Sequence, residues 1–324
     1  MLRHGLGSAP LRALLLVLGW LVVLVLAALH ALCLAGVNDP VPFDWAWAAT
    51  PVLYLPAWLV LVLAGVMGSR SLGVGAGAVA IGHLAWVLPA MAGGPASVPA
   101  DAPRLRVVTA NVLYHNQQLD DLLDELDAYD ADVIALQEVT DRVQVAVERR
   151  LGDEYEHQVL NERDDAFGSM TISRLPLRDD EIVRTAALPM LTVDVRVGDR
   201  WVQVWNVHAR APTLGFRRIV RDEMLDATRT MRGRVDGPIL VVGDFNATRW
   251  NSTFRDLLDA DLSDAADVVG HGLRTTWKGT GRVPIEMVLD HVLVSDDFGV
   301  LDTRVGPGVG SDHRPVVADL ALRP

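Results

Sequence analysis

The chain has one cysteine, Cys33, among 324 residues. An intramolecular disulfide is therefore excluded, and so are thiolate-based zinc sites. No two of the 9 histidines stand at the spacing of a zinc-binding pair either. Basic residues are scarce: 29 Lys and Arg face 41 Asp and Glu, for a net charge of −12. Arg3, Arg12 and Arg70 balance Asp39, Asp44 and Asp101, so that whole charge falls on residues 103–324. A tight binder of duplex nucleic acid normally presents a basic face. Here only Arg217, Arg218 and Arg221 cluster, with Arg149 and Arg150 as a pair, which weakens a nuclease reading while leaving room for local positive potential. An internal repeat is also missing, which argues against a solenoid.

Charge is absent from three stretches of the first hundred residues. Ala13 to Val37 has none and is long enough to cross a bilayer as a helix; Pro51 to Met67 and Leu72 to Met91 are two further candidates. A cleavable signal peptide would have an apolar core of only about 7–15 residues, so retained spans are expected. Gly73 with Gly77 and Ala78 with Gly82 are spaced for close helix packing, and His83 is expected to make an interhelical hydrogen bond. Arg3, Arg12 and Arg70 flank one side of these spans, while Asp39 and Asp44 lie in the first loop. The positive-inside rule then puts the N-terminus in the cytoplasm and everything after the third span outside. Trp45, Trp47, Tyr54 and Trp58 are expected at the outer boundary. Residues 1–92 thus read as a multi-pass cell-membrane domain, 93–103 as a flexible, partly extended Gly/Pro linker, and 104–324 as an extracytoplasmic domain.

Within that last domain, apolar runs end abruptly in polar residues. Ile239-Leu240-Val241-Val242-Gly243 leads to Asp244-Phe245-Asn246, a buried strand opening onto a cleft. If the chain stays extended, Asp244 and Asn246 point to the same side. Val107 to Asn111, Val133 to Glu138, Trp205 to His208 and Leu289 to Val294 are further strands carrying a polar residue at one end. Ser311-Asp312-His313-Arg314-Pro315 precedes a last apolar run. Strands that each deliver one polar group are how a site is mounted on rigid elements. The clusters suggest metal-assisted phosphoester hydrolysis.

With Asn111, Gln137-Glu138, Asn206-Val207-His208, Gly243-Asp244-Phe245-Asn246, Thr276-Trp277, Asp290-His291 and Ser311-Asp312-His313 in this order, the chain from about 103 to 324 resembles the endonuclease/exonuclease/phosphatase superfamily. The resemblance implies an α/β fold, a four-layer α/β sandwich of two packed, mainly antiparallel sheets flanked by helices, here preceded by three transmembrane helices. It implies Glu138 as principal ligand of a divalent cation, with Asn111 and Asp312 completing the oxygen shell. Such donors suit Mg²⁺, with Mn²⁺ or Ca²⁺ as alternatives. It further implies that Asp244 orients or deprotonates the attacking water, that Asn246 holds a phosphate oxygen, that His313 pairs with Asp290, and that His208 is a second imidazole at the scissile phosphate. Both imidazoles are expected to be cationic there.

Blander readings stand beside these. Asp and Asn after a strand often only make turns. His291 and His271 read as satisfied background histidines. Asn246-Ala247-Thr248 and Asn251-Ser252-Thr253 match the glycosylation sequon, a short pattern that is discounted here. Helical spacing is expected for Leu119 to Tyr129 and Phe216 to Met231, and short strands for Met170 to Ile172 and Val193 to Val197. The expected function is a membrane-anchored, metal-dependent phosphoesterase acting on a lipid head group, a nucleotide or nucleic acid. An extracellular nuclease of the same fold and a non-catalytic binding protein are the alternatives. Loops 209–216 and 270–282 are expected to set specificity, and no feature calls for a protein partner.

Overall fold

The computed structural model describes residues 9–37, 41–163, 165–184, 189–211, 217–233, 235–281 and 283–324; the side chains of 41–42, 184, 217–221 and 224 are also outside the description. Arg3, Asp39, the Arg217/Arg218/Arg221 cluster and part of both expected specificity loops therefore lie outside the described residues. The chain forms two compact units, Met1–Pro89 and Ala90–Pro324.

In the first unit, helices α1 (Ala9–Leu34), α2 (Val41–Ala48), α3 (Thr50–Leu53), α4 (Leu55–Met67) and α5 (Arg70–Val87) follow one another. Three helical stretches, Ala9–Leu34, Thr50–Met67 and Arg70–Ala90, are long and apolar enough to cross a membrane. Their outward faces are apolar, including Leu21, Leu24, Leu59 and Ile81. Arg12 donates to the Met67 carbonyl, so the start of α1 and the end of α4 share one end of the bundle. The expected interhelical bond exists: Trp58 Nε1 donates to His83 Nδ1 at 3.1 Å. Trp47 and Tyr54 are fully buried, and the Trp47 indole donates to the Val37 carbonyl, just beyond the end of α1.

The second unit holds strands β1 (Arg104–Asn111), β2 (Val133–Gln137), β3 (His157–Asn161), β4 (Ser169–Ser173), β5 (Leu177–Arg184), β6 (Pro189–Val197), β7 (Arg200–His208), β8 (Ile239–Asp244), β9 (Ser263–Asp264), β10 (Asp290–Val294), β11 (Phe298–Val305) and β12 (Val316–Leu322). Helices α6 (Leu119–Asp127), α7 (Asp141–Leu151), α8 (Arg217–Arg232), α9 (Ser252–Leu258) and α10 (Ala265–Val268) accompany them. Among the described residues the strands make two six-stranded sheets, β11-β12-β1-β2-β4-β3 and β5-β6-β7-β8-β10-β9. Only β1–β2 and β7–β8 run parallel, each pair spanned by a helical crossover, as parallel pairing demands.

Side-chain alternation explains the layers. Val107, Val133, Val204, Leu240, Val242 and Val292 pack between the sheets. Their neighbours Val108, Ile134 and Leu136 face α6 and α7, while Ile239, Val241 and Leu293 face the side carrying α9 residues Phe254 and Leu257. Both faces of the central strands are buried, which is why they read as continuous apolar runs. The result is helix, sheet, sheet, helix.

The segment after the bundle is bound to this second unit. Gly94 N–H donates to the Val268 carbonyl and Ala96 N–H to that of Val300. The stretch 93–103 was expected to be flexible but partly extended; these two bonds fix its first residues beside the sandwich, while most of its side chains stay exposed.

Candidate active site

The residues of one strand parity that build the apolar layer between the sheets turn polar at one end. Leu105 and Val107 are followed by Thr109 and Asn111; Val133 and Ala135 by Gln137; Val202 and Val204 by Asn206 and His208; Leu240 and Val242 by Asp244. Register aligns these ends. Asn111 pairs with Gln137 across β1–β2, His208 with Asp244 across β7–β8, and Asp290 with Asp244 across β10–β8. The parallel pairs thus bring their carboxyl ends together, where α/β sheets generally bind ligands. Gly243 is required here: its φ is +139°, and a Cβ would lie 1.9 Å from the Val207 carbonyl oxygen.

A polar layer separates core from site. Gln137 Nε2 donates to Asn206 Oδ1 at 2.7 Å and to Thr109 Oγ1, while Asn206 Nδ2 donates to the carbonyls of Leu136 and Met170. Gln137 and Asn206 belong to the sequence motifs but had no expected role. They staple the two sheets beneath the site, a job that strand parity could have revealed.

Asp244 Oδ2 is the point of convergence. Asn111 Nδ2 donates to it at 3.1 Å and Asn246 Nδ2 at 3.2 Å; His313 Nε2 and His208 Nε2 lie 3.6 and 3.7 Å away. Oδ1 accepts from the Asn246 backbone N–H. Burial pushes the Asp244 carboxyl up to about 6, with Asp290 adding to the rise and the two imidazoles opposing it.

His313 sits between two carboxylates, its Nδ1 2.8 Å from Asp290 Oδ2. Burial alone would disfavour its cation, but Asp290 and Asp244 outweigh burial and raise its pKa to about 10. Backbone contacts place the ring: Ser311 Oγ donates to the Asn111 carbonyl and accepts from His313 N–H, and Trp277 bridges to His313 in β fashion. Thr276 Oγ1 accepts from the Leu289 and Asp290 N–H groups, and Lys278 donates to the Gly308 and Ser311 carbonyls. These two positioning roles were not anticipated, although Thr276 lies in a quoted motif.

His208 departs from expectation. Burial outweighs the pull of Asp244 and lowers its pKa, so this imidazole is neutral while His313 is cationic. Its Nδ1 has no hydrogen-bond partner of proper geometry; the Ala166 carbonyl nearby only favours the charged form.

Glu138 leaves β2 with φ +61°. Continued strand alternation would turn it toward the helices, and this left-handed step returns its carboxylate to the site. Oε1 accepts from Asn111 Nδ2 and Oε2 from Tyr114 N–H, both at 3.0 Å. Asp312 accepts from Trp277 Nε1 at 3.2 Å and makes no hydrogen bond to Glu138 or Asn111. Among the described residues, neither carboxylate is ion-paired with Lys, Arg or His within 4.0 Å, although Asp312 feels the charges of His313 and Lys278; both offer hard oxygens that suit a divalent cation. For Asn111 to lend its oxygen, its amide must turn, because Oδ1 accepts from Leu113 N–H. A second group, Asp244, Asp290 and His313, has ligand atoms within 4.8 Å of one another. There the imidazolium already supplies the positive charge, which makes it a poorer cation site.

Asn246 lies beside Asp244 as expected, but through a φ of +46°, not an extended chain. Its amide donates to the Ala209 carbonyl at 2.8 Å as well as to Asp244, so holding a phosphate oxygen requires one of these bonds to open. The background readings also match. His291 bonds Asp264 Oδ2 at 2.6 Å and the Ala247 carbonyl at 3.0 Å, His271 bonds Thr303, and Asn251 is buried, so its sequon is inaccessible. A surface cleft of about 730 Å³ between α6 and α7, lined by Gln117, Arg142 and Arg149, contains none of the site residues.

This arrangement, an oxygen-rich edge beside a buried imidazolium–carboxylate pair, fits phosphoester chemistry. A family model for the endonuclease/exonuclease/phosphatase family matches residues 108–313. The chain belongs to that family, whose members are generally phosphoester hydrolases and usually use divalent metals. Solved structures agree in fold. An endonuclease/exonuclease/phosphatase from Beutenbergia cavernae is 21% identical with a TM-score of 0.55, covering 68% of this chain and 72% of that one. A family member from Bacteroides vulgatus is 16% identical, with a TM-score of 0.55 and coverage of 68% and 99%. Truncated Caenorhabditis elegans TDP2 is 15% identical, with a TM-score of 0.54 and coverage of 67% and 97%. No curated protein matches the chain.

Proposed function

We propose that the chain is a membrane-anchored, divalent-metal-dependent phosphoesterase that hydrolyses a phosphodiester outside the cytoplasmic membrane. The observation that carries this reading is the His313 imidazolium held against Asp290 at 2.8 Å, beside the unpaired carboxylate of Glu138. In this role His313 donates a proton toward the leaving oxygen and offsets charge on the phosphoryl group. Asp244, a carboxylate above about pH 6, orients and deprotonates the attacking water. His208 and Asn246 position phosphate oxygens. Glu138, with Asn111 and Asp312, would hold Mg²⁺, or Mn²⁺ or Ca²⁺ in its place; a bound ion there would polarise a phosphoryl oxygen. Catalysis of this kind rests on positioning and charge neutralisation.

The three apolar helices, Ala9–Leu34, Thr50–Met67 and Arg70–Ala90, support the anchor. Arg12 and Arg70 flank one end of that bundle, and the positive-inside rule assigns that end to the cytoplasm. The membrane domain is assigned to residues 1–92 and the catalytic domain to 104–324. The test is hydrolysis by the full chain in detergent, assayed on bis(p-nitrophenyl) phosphate, phospholipid vesicles and nucleic acid with added Mg²⁺. Turnover of at least one diester is expected. Failure on all of them overturns the reading.

A further inference from the structure

We propose that Arg210, seated on the ring of Phe167 at the rim of the candidate site, binds a second anionic group of the substrate, next to the phosphate being cleaved. The inference deepens the phosphoesterase reading and rests on it.

One residue beyond His208, the chain is fixed to the site by its backbone. Ala209 N–H donates to the Asp244 carbonyl at 2.8 Å, and the Ala209 carbonyl accepts from Asn246 Nδ2 at 2.8 Å. Arg210 therefore leaves the chain next to the residues proposed to handle the water and the phosphate. Its guanidinium carbon lies 4.6 Å from the Phe167 ring centre, and that ring is 5.4 Å from the His208 ring. Phe167 is itself anchored. Its N–H donates to Asp165, its carbonyl accepts from Asn161 Nδ2, and the Gly168 carbonyl accepts from Val139 N–H, next in the chain to Glu138. A row of His208, Phe167 and Arg210 thus runs outward from the site, and the π face restrains the cation without using its donors.

Charge bookkeeping at this rim leaves Arg210 available. Asp165, the carboxylate that feels its charge, is held by a bidentate pair with Arg163 at 2.7 and 2.5 Å. Arg163 thus offsets the Asp165 carboxylate. Other cations near the site are committed: Arg142 to the Asn116 carbonyl, Lys278 to Gly308 and Ser311, and Arg314 to Glu286. Arg210 is exposed and, among the described residues, makes no hydrogen bond or ion pair. A planar, weakly hydrated guanidinium with free donors is suited to a phosphate or carboxylate. The matching substrate has a phosphodiester and a neighbouring anion, as in a 5′-phosphorylated nucleotide chain or a phosphorylated lipid head group. A zwitterionic choline head group lacks that anion.

Equilibrium binding to the full chain in detergent, with EDTA to prevent turnover, separates the cases. The ligands are dithymidylate with and without a 5′-phosphate, and vesicles carrying phosphatidylglycerol phosphate or phosphatidylglycerol. In at least one pair the doubly anionic ligand should bind several-fold tighter, with about fivefold being reasonable for an exposed charge contact, and added salt should compress the ratio. The pair that discriminates identifies the source of the ligand. Arg210→Gln should bring the ratio toward one, and Phe167→Leu should lower it partway, because the platform is lost but the charge remains. Equal binding within both pairs, or a ratio unchanged in Arg210→Gln, overturns the inference. A wild-type chain that discriminates but hydrolyses no diester would instead count against the phosphoesterase reading.

Discussion

Asn111 at the end of β1 and Asp244 at the end of β8 are joined by a 3.1 Å hydrogen bond from the amide Nδ2 to the carboxylate Oδ2. The same amide nitrogen donates to Glu138 at 3.0 Å. One side chain therefore couples the carboxylate proposed to hold a cation with the one proposed to activate water, and it does so across the two sheets.

That coupling makes the oxygen edge testable. Hydrolysis should vanish with EDTA and return with Mg²⁺ or Mn²⁺. Glu138→Gln removes the uncompensated charge while keeping the shape, and turnover should fall by orders of magnitude with the melting temperature nearly unchanged. Activity that persists in chelator would remove the basis for a cation at Glu138.

The two imidazoles should behave differently. His313 keeps its proton up to about pH 10, and Asp244 is a carboxylate only above about pH 6. Acid and base are both in their working forms between those limits, so the pH–rate profile should be a bell within them. His313→Ala should cost about 10²–10⁴-fold in turnover, as expected for a positioned proton donor. Asp290→Asn deletes the nearest charge holding the imidazolium, so the alkaline limb should move toward neutrality. An alkaline limb that stays in place in that variant rules out His313 as the titrating acid.

Much of this site was legible before folding, for a specific reason. Asp244, His208, Asn111 and Asp290 end strands whose inner residues are apolar, so an abrupt polar terminus marked each one. What escaped was geometry that strand periodicity does not encode. Glu138 was expected at the site from its motif, but not that it reaches the site through a positive φ. His208 is neutral because burial outweighs Asp244, a balance no motif reveals. Asn246 was expected on an extended chain and arrives instead by a left-handed turn. Each sheet also contains a β–α–β unit with one parallel pair, a correspondence the unrepetitive sequence hides, because only polarity and not residue identity recurs. Nor could the Gly/Pro composition of 93–103 show that the Gly94 and Ala96 N–H groups bond the Val268 and Val300 carbonyls.

Asn206 offers a test of the polar layer between core and site. It is buried, donates to two carbonyls and accepts from Gln137 at 2.7 Å. Asn206→Ala removes the shorter of the Gln137 amide's bonds and leaves the Leu136 and Met170 carbonyls without the Asn206 donor, which should cost about 1–3 kcal/mol. Chemical unfolding followed by near-UV circular dichroism will read this as a lower midpoint. A loss below about 0.5 kcal/mol, the range of ordinary surface changes, would show that water or Thr109 replaces it.

The last prediction concerns the side of the membrane. Arg12 shares one end of the bundle with Met67, and Arg70 begins the next helix three residues later. Positive charge in short loops favours the cytoplasmic face, and on the proposed topology three crossings from there would carry the chain outside by Ala90. Protease added to intact cells should then release a fragment that starts near Pro99 to Asp101, a turn that is exposed although the residues before it are hydrogen-bonded to the sandwich. Cleavage is expected to be slow, because exposed backbone is cut only as fast as its local hydrogen bonds open. Replacing Arg12 and Arg70 with Gln should weaken the orientation and yield a mixed population. If the fragment forms only after the membrane is broken, the catalytic unit faces the cytoplasm, and the substrates available to it become intracellular phosphodiesters instead of external ones.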